Sequence, residues 1–464
     1  MNKTPNNSLL NYLLFPGIIM LLGWGLRGYI GGGPFGAMIP GAMVALAISI
    51  LLGFNPKFTS IVVIFGVVGV GLGGEVTYGQ TLGFLRDPET VWWGNLGTTV
   101  KGAVWGLGGG AILALGLIHN KIPRKTILRA FVFLMIGLFV GFKLINDPKL
   151  IYFSDPVNKP RPESWGGLLF GAIGLISYLK FSIKKNDFTI IMRFAKWGLI
   201  SGGLGFGLGG LWLVLGSQLP DVMFKSWWKM MEFSFGLLFG MGLGYAAWKS
   251  RTELVVNNNE ENNSNELAII PELGLIVLIS LTVYLVFPAV MEPLAEKMAL
   301  EKGMLPTIAG EAFRILVNYA FYGFIMILIV LYKNALAWQI GITLTFCHTA
   351  VDLMRDLRTQ PDIPVNPWIQ LIVVILLTLV VAYLVARFRH GKNVNNSMVQ
   401  ILIWSTMTIA IASISFDLLL EGGLNETGMV YLIVRIFFVH MVFLAAAIYA
   451  SRKSWIFTNA SLAN

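Results

Sequence analysis

Long apolar runs alternate with short polar breaks from residue 9 to residue 450. Fourteen runs approach the roughly 20 residues that an α-helix needs to cross a bilayer. They lie at 9–30, 34–53, 58–76, 94–118, 127–146, 165–181, 190–216, 230–248, 268–290, 311–332, 335–352, 367–386, 397–418 and 428–450. The two-residue alternation of strands is missing, which excludes a barrel reading. The pattern predicts an all-α polytopic membrane protein.

Glycine organises the first eight runs. Gly23–Gly28, Gly69–Gly74 and Gly205–Gly210 share the form G-x-G-L-x-G, and Gly137–Phe142 is a degenerate copy. Each copy closes one run, and the next run carries Phe35-Gly36, Lys101-Gly102, Phe170-Gly171 or Phe235-Gly236. This predicts four parallel two-helix repeats over residues 1–249, each returning the chain to its starting side. A polar, Asn-rich linker at 250–267 separates them from six further helices in 268–464. Glycines four apart, such as Gly102/Gly106 and Gly236/Gly240, let helix backbones approach closely in lipid. The same letters match the dinucleotide fingerprint, but that motif needs a preceding strand and a soluble βαβ unit. Packing is the expected role. Tryptophans before the later copies (Trp92, Trp93, Trp165, Trp227, Trp228) are expected to form an interfacial belt.

Composition and charge agree with this picture. The 464 residues are 56% hydrophobic and 12% charged, against about 25% charged in soluble domains. Mean hydropathy is +0.72. With fourteen spans, the face carrying the termini holds 19 Lys/Arg and six Asp/Glu, net +13; the opposite face holds 15 and 18, net −3. The positive-inside rule then places both termini in the cytoplasm of a bacterial inner membrane. The overall +10 is topological and gives no reason to expect nucleic acid. The start, MNKTPNNSLLNYLL, lacks a small-residue cleavage site and reads as uncleaved. Cys347 is the only cysteine, so no internal disulfide forms.

Candidate chemistry lies where the repeat breaks. Arg27 replaces the glycine of Gly73, Gly141 and Gly209, and Lys101 replaces the phenylalanine of Phe35, Phe170 and Phe235. Glu75 and Lys143 occupy equivalent positions in consecutive units, where they would pair if the units were neighbours. An ionised group at bilayer depth costs about 2.5–3.5 kcal/mol on insertion scales, so it faces the bundle interior, a partner or a solute. In the second half, Glu311 and Arg314 are three apart, and His348, Asp352 and Arg355 share one helical stripe. Asp417 and Glu421 form an i, i+4 carboxylate pair, and Arg435 and His440 lie in the last run. With Glu232, most of these groups fall toward the face away from the termini.

Motifs of nucleotide hydrolysis, zinc proteolysis and serine hydrolysis are missing. No cofactor or metal is expected. These features predict a secondary transporter or permease for a small polar, anionic solute, a carboxylate or an acidic sugar, with a pocket open toward the outer face. Arg27, Glu75, Lys101, Lys143, Glu311 and Arg314 would bind the solute, and Asp352, Asp417 and Glu421 would couple a proton or ion. The alternatives are a membrane-embedded transferase on a lipid-linked or glycan substrate, with His348, Asp352 and Arg355 catalytic, and a subunit of a larger complex. Membrane lipids are the other expected partner.

Overall fold

The computed structural model describes residues 8–155, 163–219, 227–254, 267–287, 289–290, 293, 319–359, 366–420 and 429–462, with backbone alone at 356–359, 417–420, 429–436 and 461–462. The expected Glu311, Arg314 and Glu421, much of the linker, and the Asp417 and Arg435 side chains lie outside the described residues.

The described chain is helical. Its long helices are α1 Leu9–Arg27, α2 Gly33–Leu51, α3 Pro56–Gly73, α4 Val91–Leu117, α5 Arg124–Gly141, α6 Trp165–Ser182, α7 Lys185–Gln218, α8 Trp227–Ser250, α9 Ile269–Leu281, α10 Phe321–Tyr332, α11 Thr345–Thr359, α12 Pro367–Phe388, α13 Val394–Leu420 and α14 Met429–Leu462. Among the described residues, 11 helices are long and apolar enough to cross a membrane. The protein is therefore a multi-pass helical membrane protein. Several bounds differ from the sequence expectation. α4 begins at Val91, and α14 runs on to Leu462, because amphipathic turns carry a helix past its apolar stretch.

Six helices close into a ring in the order α1, α2, α3, α4, α7, α8 and back to α1. Glycine makes the ring tight. Cβ atoms added at Gly102, Gly106 and Gly110 of α4 would strike the backbone of Gly202, Gly198 and Phe194 of α7. Those at Gly236, Gly240 and Gly244 of α8 would strike the backbone of Met20, Pro16 and Tyr12 of α1. Along each pair, numbers rise on one helix as they fall on the other, so the partners are antiparallel. The α5–α6 hairpin packs through Gly137 and Gly141 in the same way, but stands outside the ring against α4. Lys143 therefore sits away from the ring.

The ring is not a pore. Its axis is filled by Trp24, Trp105, Phe206 and Phe235, with Trp24 edge to face against Phe235 and Trp105 and Phe206 tilted by 30° on Phe235, ring centroids 4.4–4.8 Å apart. Such geometry is the favoured one for aromatic pairs. The connection from α3 to α4 caps the ring at the end away from Leu9, with Thr81, Leu82 and Leu85 buried. Of the later helices, α14 packs on α1, α11 on α2 and α10 on α3. An apolar cavity between α3, α4 and α6, lined by Gly69, Gly73, Trp105, Gly108, Leu168 and Ala172, has a volume of about 10 Å³. It holds at most one water and is no solute site.

Candidate functional site

Arg27 is the last residue of α1, and its side chain is only 3% exposed. Its guanidinium lies 5.5 Å from the centre of the Trp24 ring, 5.7 Å from that of Tyr78 and 5.6 Å from that of Trp105. Nη1 donates to the Tyr78 hydroxyl at 2.5 Å and Nη2 to the Gly33 carbonyl at 3.1 Å. Nε is buried and makes no hydrogen bond. No carboxylate among the described residues pairs with it. A cation–π contact is worth about 0.5–2 kcal/mol, so the three rings offset part of the cost of burying this charge. The sequence break that put arginine in a glycine column thus marks a caged cation that no carboxylate among the described residues neutralises.

The α1–α2 connection carries this cation's neighbours. Gly31 has φ +109°, which a side chain rarely adopts, and an added Cβ there would run into the His348 ring and approach the Asp352 carboxyl carbon. His348 and Asp352 of α11 therefore abut the loop that begins at Arg27. His348 is 8% exposed, its ring lies 5.5 Å from Phe35 and from Tyr284, and its Nε2 has no hydrogen-bond partner. Asp352 is buried and accepts from Arg355, whose side chain is 65% exposed. On the other side of the loop, Lys229 of α8 donates to the Gly25 carbonyl at 3.0 Å and to Glu232 at 2.6 Å, and lies 3.9 Å from the Tyr29 ring centre. Glu232 also accepts from Trp228 at 3.1 Å. The sequence did not single out Lys229; its signal was a lysine one turn before Glu232 in a glycine-rich span.

Lys101, Lys143 and Glu75 stand elsewhere. Lys101 is fully buried and its Nζ donates to Glu163 at 2.6 Å, to the Thr77 carbonyl at 2.6 Å and to the Thr81 hydroxyl at 2.7 Å. An ammonium has three donors, so none remains for a solute. Glu163 also accepts from the Phe153 amide and the Ser154 hydroxyl. This cluster ties two loops together at the capped end of the ring. Lys143 pairs with Asp147 at 2.5 Å on its own helical turn, partly exposed. The expected Glu75–Lys143 pair does not form, because the α5–α6 hairpin lies outside the ring and Lys143 has a nearer acid four residues on. Glu75 instead lies beside the buried Tyr319, and its carbonyl accepts from Ser164 at 2.5 Å. Trp92 is exposed as a belt residue should be, whereas Trp165 is buried against Phe153.

One buried network carries no sequence forecast. Glu272 of α9 is fully buried, with Arg389 at 2.5 Å and the Gln339 amide at 2.7 Å. Gln339 accepts from Thr343 at 2.6 Å and donates to the Ala382 carbonyl at 3.0 Å. Among the described residues, no three His, Cys, Asp or Glu side chains gather as a metal site. Comparison with protein-family models, with curated proteins and with solved structures gave no match.

Proposed function

We propose that the protein is a secondary transporter of a small organic anion, a carboxylate or an acidic sugar, with Arg27 as the group that receives the negative charge. One observation carries this reading: Arg27 is a buried guanidinium that no carboxylate among the described residues neutralises. A guanidinium presents planar, paired donors that match a carboxylate. Tyr78 and the Gly33 carbonyl hold two of its N–H groups and leave the rest of the fork. The cage is closed in this structure, so entry of a solute requires Tyr78 and the α3–α4 connection to move aside. That motion would give the outward opening expected from the sequence. The positive-inside asymmetry supports a plasma-membrane setting with cytoplasmic termini and fourteen spans.

A membrane-embedded transferase is the second reading. The His348–Asp352 pair beside Gly31 supports it, since a buried imidazole next to a carboxylate is a general-base arrangement. The two readings differ in what crosses the membrane. Purified protein in liposomes, offered labelled succinate, glucuronate and lactate, is expected to accumulate or exchange at least one of them faster than protein-free vesicles. Equal rates for every solute would remove the transport reading.

A further inference from the structure

Two of the buried polar atoms that find no hydrogen-bond partner among the described residues border one loop. Arg27 Nε lies where α1 passes into the α1–α2 connection, and His348 Nε2 packs against Gly31 of that connection. Their residues are 3% and 8% exposed. A buried polar atom without a partner is costly. The Lys101–Glu163 cluster fills all three donors of its ammonium; the glycine loop leaves an open donor on one side and an open nitrogen on the other.

The loop between them is Gly31-Gly32-Gly33. A Cβ at Gly32 or Gly33 would meet nothing within 4 Å, so the loop faces open space on that side. Gly32 is the N-cap of α2, a 19-residue helix, and has no side chain to cap it. The Gly32 and Gly33 amides have no backbone acceptor among the described residues. Free amides at the positive end of a long helix attract an anion. The Arg27 guanidinium stands beside them, bonded to the Gly33 carbonyl at 3.1 Å. Negative charge is therefore favoured at the Gly33 end. The Gly31 end differs. A Cβ built there would strike His348 Nε2 and lie 3.2 Å from the Asp352 carboxyl carbon. Asp352 disfavours a carboxylate at that end. A ring nitrogen donates or accepts one hydrogen bond according to tautomer, and a hydroxyl can answer either. The Gly31 and Gly33 Cα atoms are no more than about 7 Å apart. A carboxylate and a hydroxyl on nearby carbons bridge that span, with a hydrogen bond of about 2.8 Å at each end.

We propose that the solute is a hydroxy monocarboxylate, a short hydroxy acid or a sugar acid. Its carboxylate binds at Arg27 and the N-terminus of α2, and a hydroxyl binds at His348 Nε2. This rests on the transport reading and narrows its substrate class. His348 selects for the hydroxyl, and Asp352 selects against a second carboxylate. Both act by binding alone; no bond in the solute forms or breaks.

The test is calorimetric titration of the full-length protein in detergent with lactate, propionate and succinate, beside exchange of the same labelled acids in liposomes. Lactate and propionate differ by one hydroxyl. Wild type is expected to bind lactate at least about tenfold more tightly than propionate, and succinate more weakly than lactate. His348→Phe is expected to bring lactate down to the propionate level and to leave propionate unchanged. A histidine that only packs would move both acids together. His348→Gln keeps a polar group and is expected to retain part of the preference. Asp352→Asn is expected to strengthen succinate binding, a gain that misfolding cannot produce. Equal binding of lactate and propionate by wild type overturns the assignment. So does a lactate preference that survives in folded His348→Phe, and so does no binding of any acid. Exchange of all three acids at equal rates overturns the hydroxy-acid class and leaves transport standing. Lactate binding that depends on His348, with no exchange of any acid, removes the transport reading and leaves the site standing.

Discussion

At Lys101 and Glu163 a buried ion pair is complete on both sides. Breaking a buried pair by removing one partner costs about 3–5 kcal/mol, because the other charge stays buried. Lys101→Met is therefore expected to lower the thermal midpoint sharply, and Lys101→Met with Glu163→Gln to regain much of the loss. Midpoints in detergent for the two variants check this, and an undisturbed Lys101→Met protein would show that Glu163 finds water or another cation. His119, between α4 and α5, is a titrating residue outside the spans that burial perturbs strongly. Desolvation pulls its pKa from 6.5 down to about 4, against a 2.8 Å contact of Nδ1 with the Gly116 carbonyl. The folded form thus binds its proton less readily than the unfolded chain. Its stability is full above pH 6.5 and falls as pH drops from 6.5 toward about 4. Replacing it, as in His119→Gln, is expected to flatten the midpoint-against-pH curve in that window. The same slope in both proteins would assign the pH effect elsewhere. Arg27 was legible because it breaks a glycine column. Glu163 was not, since its partner lies 62 positions away across a long loop. Glu272 was counted only as a charge on one face, and Gln339 escaped a reading tuned to ionised residues.

At the level of the helices, glycine decides which pairs meet. The α4–α7 contact is backbone against backbone at Gly102, Gly106, Gly198 and Gly202. Gly106→Leu or Gly198→Leu forces these helices apart, and overpacking of this kind costs about 1–3 kcal/mol or more. Gly32→Ala is the matched control. Its Cβ would meet nothing within 4 Å, and Gly32 has φ −85°. The expected result is a lowered midpoint for the first two variants and an unchanged one for the control. The glycine spacing could be read from sequence; the pairing could not. Each hairpin carries a near-identical surface, so nothing local says that α4 packs on α7 while the α5–α6 hairpin is left outside. That choice is made by long-range fit, including the Trp24, Trp105, Phe206 and Phe235 plug contributed by four different helices.

Across the whole molecule, the ring supplies a rigid wall and the later helices lie against α1, α2 and α3. Arg27 and His348 face the same glycine loop at that boundary. Trp92 and Asn120 lie at opposite ends of α4, a helix long and apolar enough to cross a membrane. Cysteines introduced at the exposed Trp92 and Asn120 are therefore expected to react with an impermeant maleimide from opposite sides. The native thiol, Cys347, is buried and is expected to stay silent. Labelling of both from one side would contradict α4 as a membrane span. The central claim is that Arg27 receives the anion. Trp24 and Trp105 lie against its guanidinium and report on it directly, so the decisive measurement is tryptophan fluorescence of purified protein titrated with the solute that wild type transports. The account predicts a saturable change in wild type. It predicts affinity weakened at least about tenfold in Arg27→Lys, which loses the planar fork, and lost in Arg27→Gln. Wild-type affinity in a folded Arg27→Gln protein would contradict it.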